Sequence, residues 1–158
     1  MPRNTLVRQV MTTDVLTFRP TDTIDVVART LSEQRVSGAP VVDDAGRVVG
    51  LLEDDDLIVA DTNLHMPTVI SLFGAYIELP SALAHFERDL RKAVAATVAD
   101  VMDADAPTCG PDDTLETVAT SLHASGNSRM AVVDGDGGLL GIVSRGDLVR
   151  DLVGDSED

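Results

Sequence analysis

A chain of 158 residues that is 44% hydrophobic but only 3% aromatic is long enough to bury a core, and that core must be built from Val, Leu, Ile and Ala. Its formal net charge of -15, with a pI near 4.3, excludes a surface made for nucleic acid or for an anionic membrane. Cys109 is the single cysteine, so an intramolecular disulfide and a cysteine-rich metal site are both excluded.

Residues 1–11 lack the apolar stretch of a secretory signal, and no run approaches the ~18 apolar residues of a membrane helix. A soluble, cytoplasmic protein is therefore expected. After Pro20, the residues Ile24, Val27, Ala28 and Leu31 recur at helical spacing, with Asp22 as the expected N-cap and a stop near Ser37-Gly38. Two apolar runs follow, Ala39 to Val42 and Val48 to Leu52, around the turn Asp43-Asp44-Ala45-Gly46, and this reads as a hairpin. A short strand is expected before the helix, over Val15 to Thr17, and a second helix begins in the acidic run Glu53-Asp54-Asp55-Asp56.

Residues 61–97 form a different kind of segment. Leu83, Phe86, Leu90 and Val94 fall at helical spacing, with Glu87, Arg88, Asp89, Arg91 and Lys92 opposite them. Phe73, Tyr76 and Phe86 also lie here. The segment reads either as a helical connector covering a core or as a surface for a dimer partner or effector.

The grammar then returns at an offset of 91 residues, without a gap. Val10-Met11 matches Val101-Met102, and Thr17, Pro20, Asp22, Thr23, Val27, Ala28 and Leu31 match Thr108, Pro111, Asp113, Thr114, Val118, Ala119 and Leu122. Val41-Val42-Asp43, Gly46, Gly50 and Asp56-Leu57 match Val132-Val133-Asp134, Gly137, Gly141 and Asp147-Leu148. An internal repeat fixes architecture before any local reading does, and only two copies exist. In the second copy Asp113 and Glu116 have capping-box spacing, the helix stops near Gly126-Asn127, and a strand is expected over Pro107 to Cys109. One copy is β-α-β-β-α. It leaves one face of its sheet bare, so the two must pack face to face as one α/β (α+β) domain.

The pattern of Pro, a capped helix, Val-Val-Asp, Gly-(Leu/Ile)-(Leu/Val) and a closing Asp-Leu resembles the CBS domain, named from cystathionine β-synthase. The tandem pair looks like a Bateman module covering residues 7–60 and 97–152. The resemblance implies repeat one over 1–60, a helical insertion over 61–97 and repeat two over 98–158, packed with pseudo-two-fold symmetry. It also implies a ligand-sensing unit for AMP, ADP, ATP or S-adenosylmethionine in the cleft between the repeats. Homodimers are common in that family, and with no effector domain within this sequence the effector is expected on a separate partner protein.

Carried over position by position, the resemblance makes Asp147 the acceptor for ribose hydroxyls and Ser144, three residues earlier, a phosphate or ribose contact. A carboxylate suits this role because it accepts from two vicinal hydroxyls at once. Arg129 and Arg145 are implied as phosphate contacts, while Thr108 and Thr17 match positions lining the adenine end. Asp147 and Asp56 also fit a blander role, as charges complementing a helix dipole, and Ser144 that of an N-cap. The first copy departs from the pattern: Glu53 replaces Ser144, and Gly38 replaces Arg129. Its carboxylates would repel a phosphate, so the Asp56 cleft is expected to stay empty, hold an uncharged adenosine-like group or need Mg²⁺. A non-catalytic dimerisation scaffold with vestigial clefts is the rival reading. No catalytic motif or metal-ligand spacing appears among His65, His85 and His123, so an enzyme is not expected. The 21 Asp against 6 Glu, with Lys92 as the only lysine, fits either a salt-rich cytoplasm or a GC-rich genome.

Overall fold

Paired valines extend the backbone, and each β-branched run lies beside the run that follows it. The computed structural model describes residues 4–57 and 96–154. Strand β1 (Gly38–Val42) pairs with β2 (Val48–Glu53), while β3 (Thr108–Cys109), β4 (Arg129–Val133) and β5 (Leu139–Ser144) form a three-stranded sheet in that order. Both hairpin turns place glycine at positive φ, Gly46 at 80° and Gly137 at 85°. The aspartate that opens each turn accepts two backbone N–H groups on Oδ1. Asp43 takes those of Ala45 and Arg47, and Asp134 takes those of Asp136 and Gly138.

Among the described residues the helices are α1 (Val7–Val10), α2 (Ile24–Gln34), α3 (Val98–Val101), α4 (Leu115–Ser125) and α5 (Arg145–Gly154), and residues 54–57, in the expected acidic run, are also helical. By internal contacts the chain divides into two units. One comprises Met1–Arg19, Gly38–Leu51 and Asp103–Asp158; the other comprises Pro20–Ser37 and Leu52–Met102. In the first unit, β3 runs parallel to β4 and β5 antiparallel to it. The core beneath holds Val7, Cys109, Leu115, Val118, Leu122, Met130, Val132 and Val143, with Val10, Met11 and Leu148 against its edge. In the second unit Val27, Leu31, Leu52 and Val98 are buried.

The leading segment of each repeat pairs with the other repeat. In the first unit the N–H groups of Val7 and Arg8 donate to the carbonyls of Asp113 and Pro111, at 2.9 and 3.0 Å. In the second, those of Val98 and Ala99 donate to Asp22 and Pro20 at the same two distances. Thr12 pairs with Ile142, and Asp103 with Leu51. Each of these bonds maps onto its counterpart when the repeats are exchanged, as the duplicated sequence leads one to expect.

Several local expectations shift. The helix caps are Thr23 and Thr114, one residue after Asp22 and Asp113. Thr114 Oγ1 accepts from the N–H of Thr117, whereas Asp113 Oδ2 turns back to the N–H of Gly110 at 2.7 Å. That leaves no Asp113–Glu116 box. Helix α2 stops at Gln34, with Arg35 in the left-handed region, ahead of the expected Ser37-Gly38. The leading strand of the first repeat is a single parallel bridge, Phe18 to Val41, and not a strand over Val15 to Thr17. The helical insertion over 61–97 lies outside the described residues except for Ala96 and Thr97. There the N–H of Ile24 donates to the carbonyl of Ala96, and Thr97 bridges Thr23.

Candidate functional site

Strand β5 ends at Ser144, and the chain turns directly into α5. An emerging helix leaves its first N–H groups without carbonyl partners, and Ser-x-x-Asp is a spacing that supplies acceptors. Asp147 Oδ2 accepts from the N–H of Ser144 at 2.8 Å and from its hydroxyl at 3.1 Å, and Ser144 Oγ lies 3.3 Å from the N–H of Asp147. The other oxygen, Oδ1, is ion-paired with Nη2 of Arg150, one helical turn on. Asp147 is only 7% exposed and is the one charged residue buried among the described residues.

Beside this carboxylate is a hollow of about 450 Å³ lined by Val10, Thr12, Asp147, Arg150, Asp151 and Gly154. Thr12 reaches it because the segment after α1 pairs with β5: the N–H of Thr12 donates to the carbonyl of Ile142 and the reverse bond is also made, both at 2.9 Å. Glycine at 141 permits that approach. A Cβ there would sit 2.7 Å from the Thr12 carbonyl oxygen and 3.0 Å from Met11 Sδ. The hollow thus offers a buried acceptor paired with an exposed guanidinium, with Thr12 in its lining, a set suited to a polar ligand carrying both hydroxyls and a negative group.

The other expected residues take several positions. Ser144 stands behind Asp147 and holds it. Arg129 lies opposite Ser144 in the β4–β5 register, and its Nη1 donates to the carbonyl of Gly38 at 3.1 Å. Gly38 is the position equivalent to Arg129 in the first repeat. Arg145 directs Nε to the carbonyl of Asn127 at 3.2 Å. Thr108 is exposed on β3, and Thr17 is half-buried just before the Phe18 bridge. Asp56 repeats the backbone part of the Asp147 arrangement by accepting from the N–H of Glu53 at 2.9 Å, with Glu53 standing where the second repeat has Ser144. Arg150, Thr12 and Asp151 were not anticipated. An Asp-x-x-Arg spacing on a helix was the available signal for Arg150; Thr12 had none, because its partner is distant in the chain.

Cys109 is buried on β3 beside β4, and burial pushes its thiol up to about 12, with nearby Asp113 adding to the effect. It packs in the core. Among the described residues no helix is long and apolar enough to cross a membrane, and no cluster of three His, Cys, Asp or Glu side chains is arranged to hold a metal ion.

Comparison with known proteins adds an independent line. The model of the CBS domain matches residues 7–63 and 98–154. The uncharacterized protein MJ1426 of Methanocaldococcus jannaschii is 30% identical over 154 residues, which cover 94% of this chain and 91% of that protein. The chloroplastic CBS domain-containing protein CBSX1 of Arabidopsis thaliana is 33% identical over 146 residues, 87% of this chain, and the match spans 58% of the plant protein. Among solved structures, that of Arabidopsis CBSX2 in complex with AMP superposes with a TM-score of 0.72 at 27% identity, covering 96% of this chain and 98% of that one.

Proposed function

Because the chain belongs to the CBS-domain family and carries the domain twice, we propose that it senses an adenosine-containing ligand in the hollow beside Asp147 and reports its state to a separate partner protein. The observation that carries this reading is the buried Asp147 carboxylate, held in place by Ser144 at the mouth of a ligand-sized hollow. In the bound state the ribose hydroxyls take Asp147 as acceptor. The likeness to a relative crystallised with AMP supports the adenine nucleotides AMP, ADP and ATP ahead of S-adenosylmethionine. The ligand acts by preferring one arrangement of the protein over another, and its effect is bounded by that difference in affinity. The Glu53–Asp56 end lacks the serine hydroxyl and adds carboxylates, so it takes an uncharged group or a Mg²⁺-bound nucleotide, or stays empty.

Association of two copies belongs to the same proposal. Val149, Leu152 and Val153 form an exposed apolar stripe on α5, and this stripe also favours the second reading, a scaffold whose fold serves association alone.

Thermal melting against AMP, ADP, ATP and S-adenosylmethionine, with and without Mg²⁺, separates the two. A ligand at 100 times its dissociation constant stabilises the fold by about 2.7 kcal/mol. The variant to pair with it is Asp147→Asn, which keeps an acceptor for the Ser144 N–H but loses the charge. Asp147→Ala would strand that N–H at a cost of about 1–3 kcal/mol and blur the result. The sensor reading expects a nucleotide shift in the parent that is lost in Asp147→Asn. No shift with any nucleotide favours the scaffold.

A further inference from the structure

We infer that Arg150 is the residue that makes this site prefer phosphorylated ligands over neutral adenosine, by exchanging its ion pair with Asp147 for a ligand anion. The inference rests on the reading of the hollow as an adenosine site and adds to it the discriminating group. Its side chain is 74% exposed, lines the hollow and reaches Asp147 Oδ1, while the carboxylate it pairs with is almost fully buried. Such a pair is lopsided. The carboxylate cannot move, because Ser144 fixes its other oxygen through two hydrogen bonds. The guanidinium is tethered by one contact and has N–H donors to spare.

Each candidate ligand meets this pair differently. A ribose diol needs acceptor capacity on Asp147, and three hydrogen bonds already draw on that carboxylate. Neutral adenosine brings nothing to replace what the guanidinium would lose, so Arg150 stays on Oδ1 and competes with the ribose. A phosphate offers the guanidinium a charge-assisted, two-pronged partner, which releases Oδ1 to the ribose. Arg150 therefore opposes the neutral nucleoside and recruits the anionic nucleotide. Arg129 and Arg145 are directed to the carbonyls of Gly38 and Asn127, so among the described residues Arg150 is the arginine that lines the hollow. The equivalent position in the first repeat is Val59, so the device belongs to one repeat only.

Calorimetric titration of AMP and of adenosine into the full chain and into Arg150→Ala tests this. The parent should bind AMP more tightly than adenosine. Arg150→Ala should lose about tenfold or more in AMP affinity while adenosine binds as well or better, so the preference collapses. If the variant is less stable without ligand, Arg150→Gln keeps part of the aliphatic stem and an N–H donor without the charge and should collapse the preference in the same way. A parent that binds AMP, together with variants whose AMP-to-adenosine ratio is unchanged, overturns the role of Arg150 and leaves the adenosine site standing. A parent that binds neither overturns both.

Discussion

Arg35 and Gly126 occupy the same place in the two repeats, and both close a helix in the left-handed region, at φ 55° and 75°. Only the second pays no penalty for a Cβ. Arg35→Gly should stabilise the protein by about 0.5–1 kcal/mol, the relief of left-handed strain being partly offset by glycine's freedom in the unfolded chain. Urea denaturation checks this, and a lower midpoint would show that the exposed Arg35 side chain contributes more than its backbone costs. Cys109 makes a different kind of prediction. Its thiol is pushed up to about 12 in the folded protein by burial and Asp113, above the usual range for an unfolded chain. The folded state therefore keeps a proton that the unfolded state releases, so this contribution is full below the unfolded value and fades as pH rises toward 12. At pH 8 native Cys109 should resist iodoacetamide for as long as the fold persists and react quickly in urea, as followed by mass spectrometry; rapid native labelling would contradict its burial. Ser144 and Asp147 were legible because the repeat puts them in register with a known pattern. Arg150 was not, since the first repeat has Val59 there and a helical Asp-x-x-Arg pair is commonplace on surfaces.

The elements were the most legible level, because β-branched runs, Asx turns and helical stripes are local signals that appear twice. The caps slipped by one residue for an equally local reason. Asp22 and Asp113 are good capping residues, but Thr23 and Thr114 hold the extended φ/ψ that a cap requires, and Asp113 is drawn back to Gly110. The exchange of leading segments was illegible, since nothing in residues 5–12 indicates that they pair with residues 111–115 and with Ile142. Gly141 is the place to test that pairing. A Cβ at 141 meets a backbone oxygen at 2.7 Å, and a backbone atom yields less easily than a flexible side chain. Gly141→Ala should cost about 1–3 kcal/mol by forcing the Thr12 segment off β5, and it should raise hydrogen exchange at the amides of Thr12 and Ile142 above that of Val143. Exchange that is unchanged at Thr12 would show that the segment accommodates the methyl group.

At the scale of the molecule, duplication produced two repeats with one backbone grammar and different charges. The second repeat carries Arg129, Ser144, Arg145 and Arg150 where the first has Gly38, Glu53, Asp54 and Val59, within a chain of net charge -15. A strongly acidic protein repels a nucleotide at long range, so binding depends on a local concentration of positive charge, and the arginines lie around the start of α5 in the second repeat. The Gly38 and Glu53 departures were readable from sequence, and so was the family. The identity of the residues around the hollow was not, because Thr12 arrives from the far end of the chain. The most direct measurement is a crystal structure of the protein grown with saturating AMP. The account predicts AMP in the hollow, a ribose hydroxyl within hydrogen-bond distance of Asp147, and the phosphate on Arg150. AMP bound elsewhere, or no AMP at all with Arg150 still paired to Asp147, would contradict it.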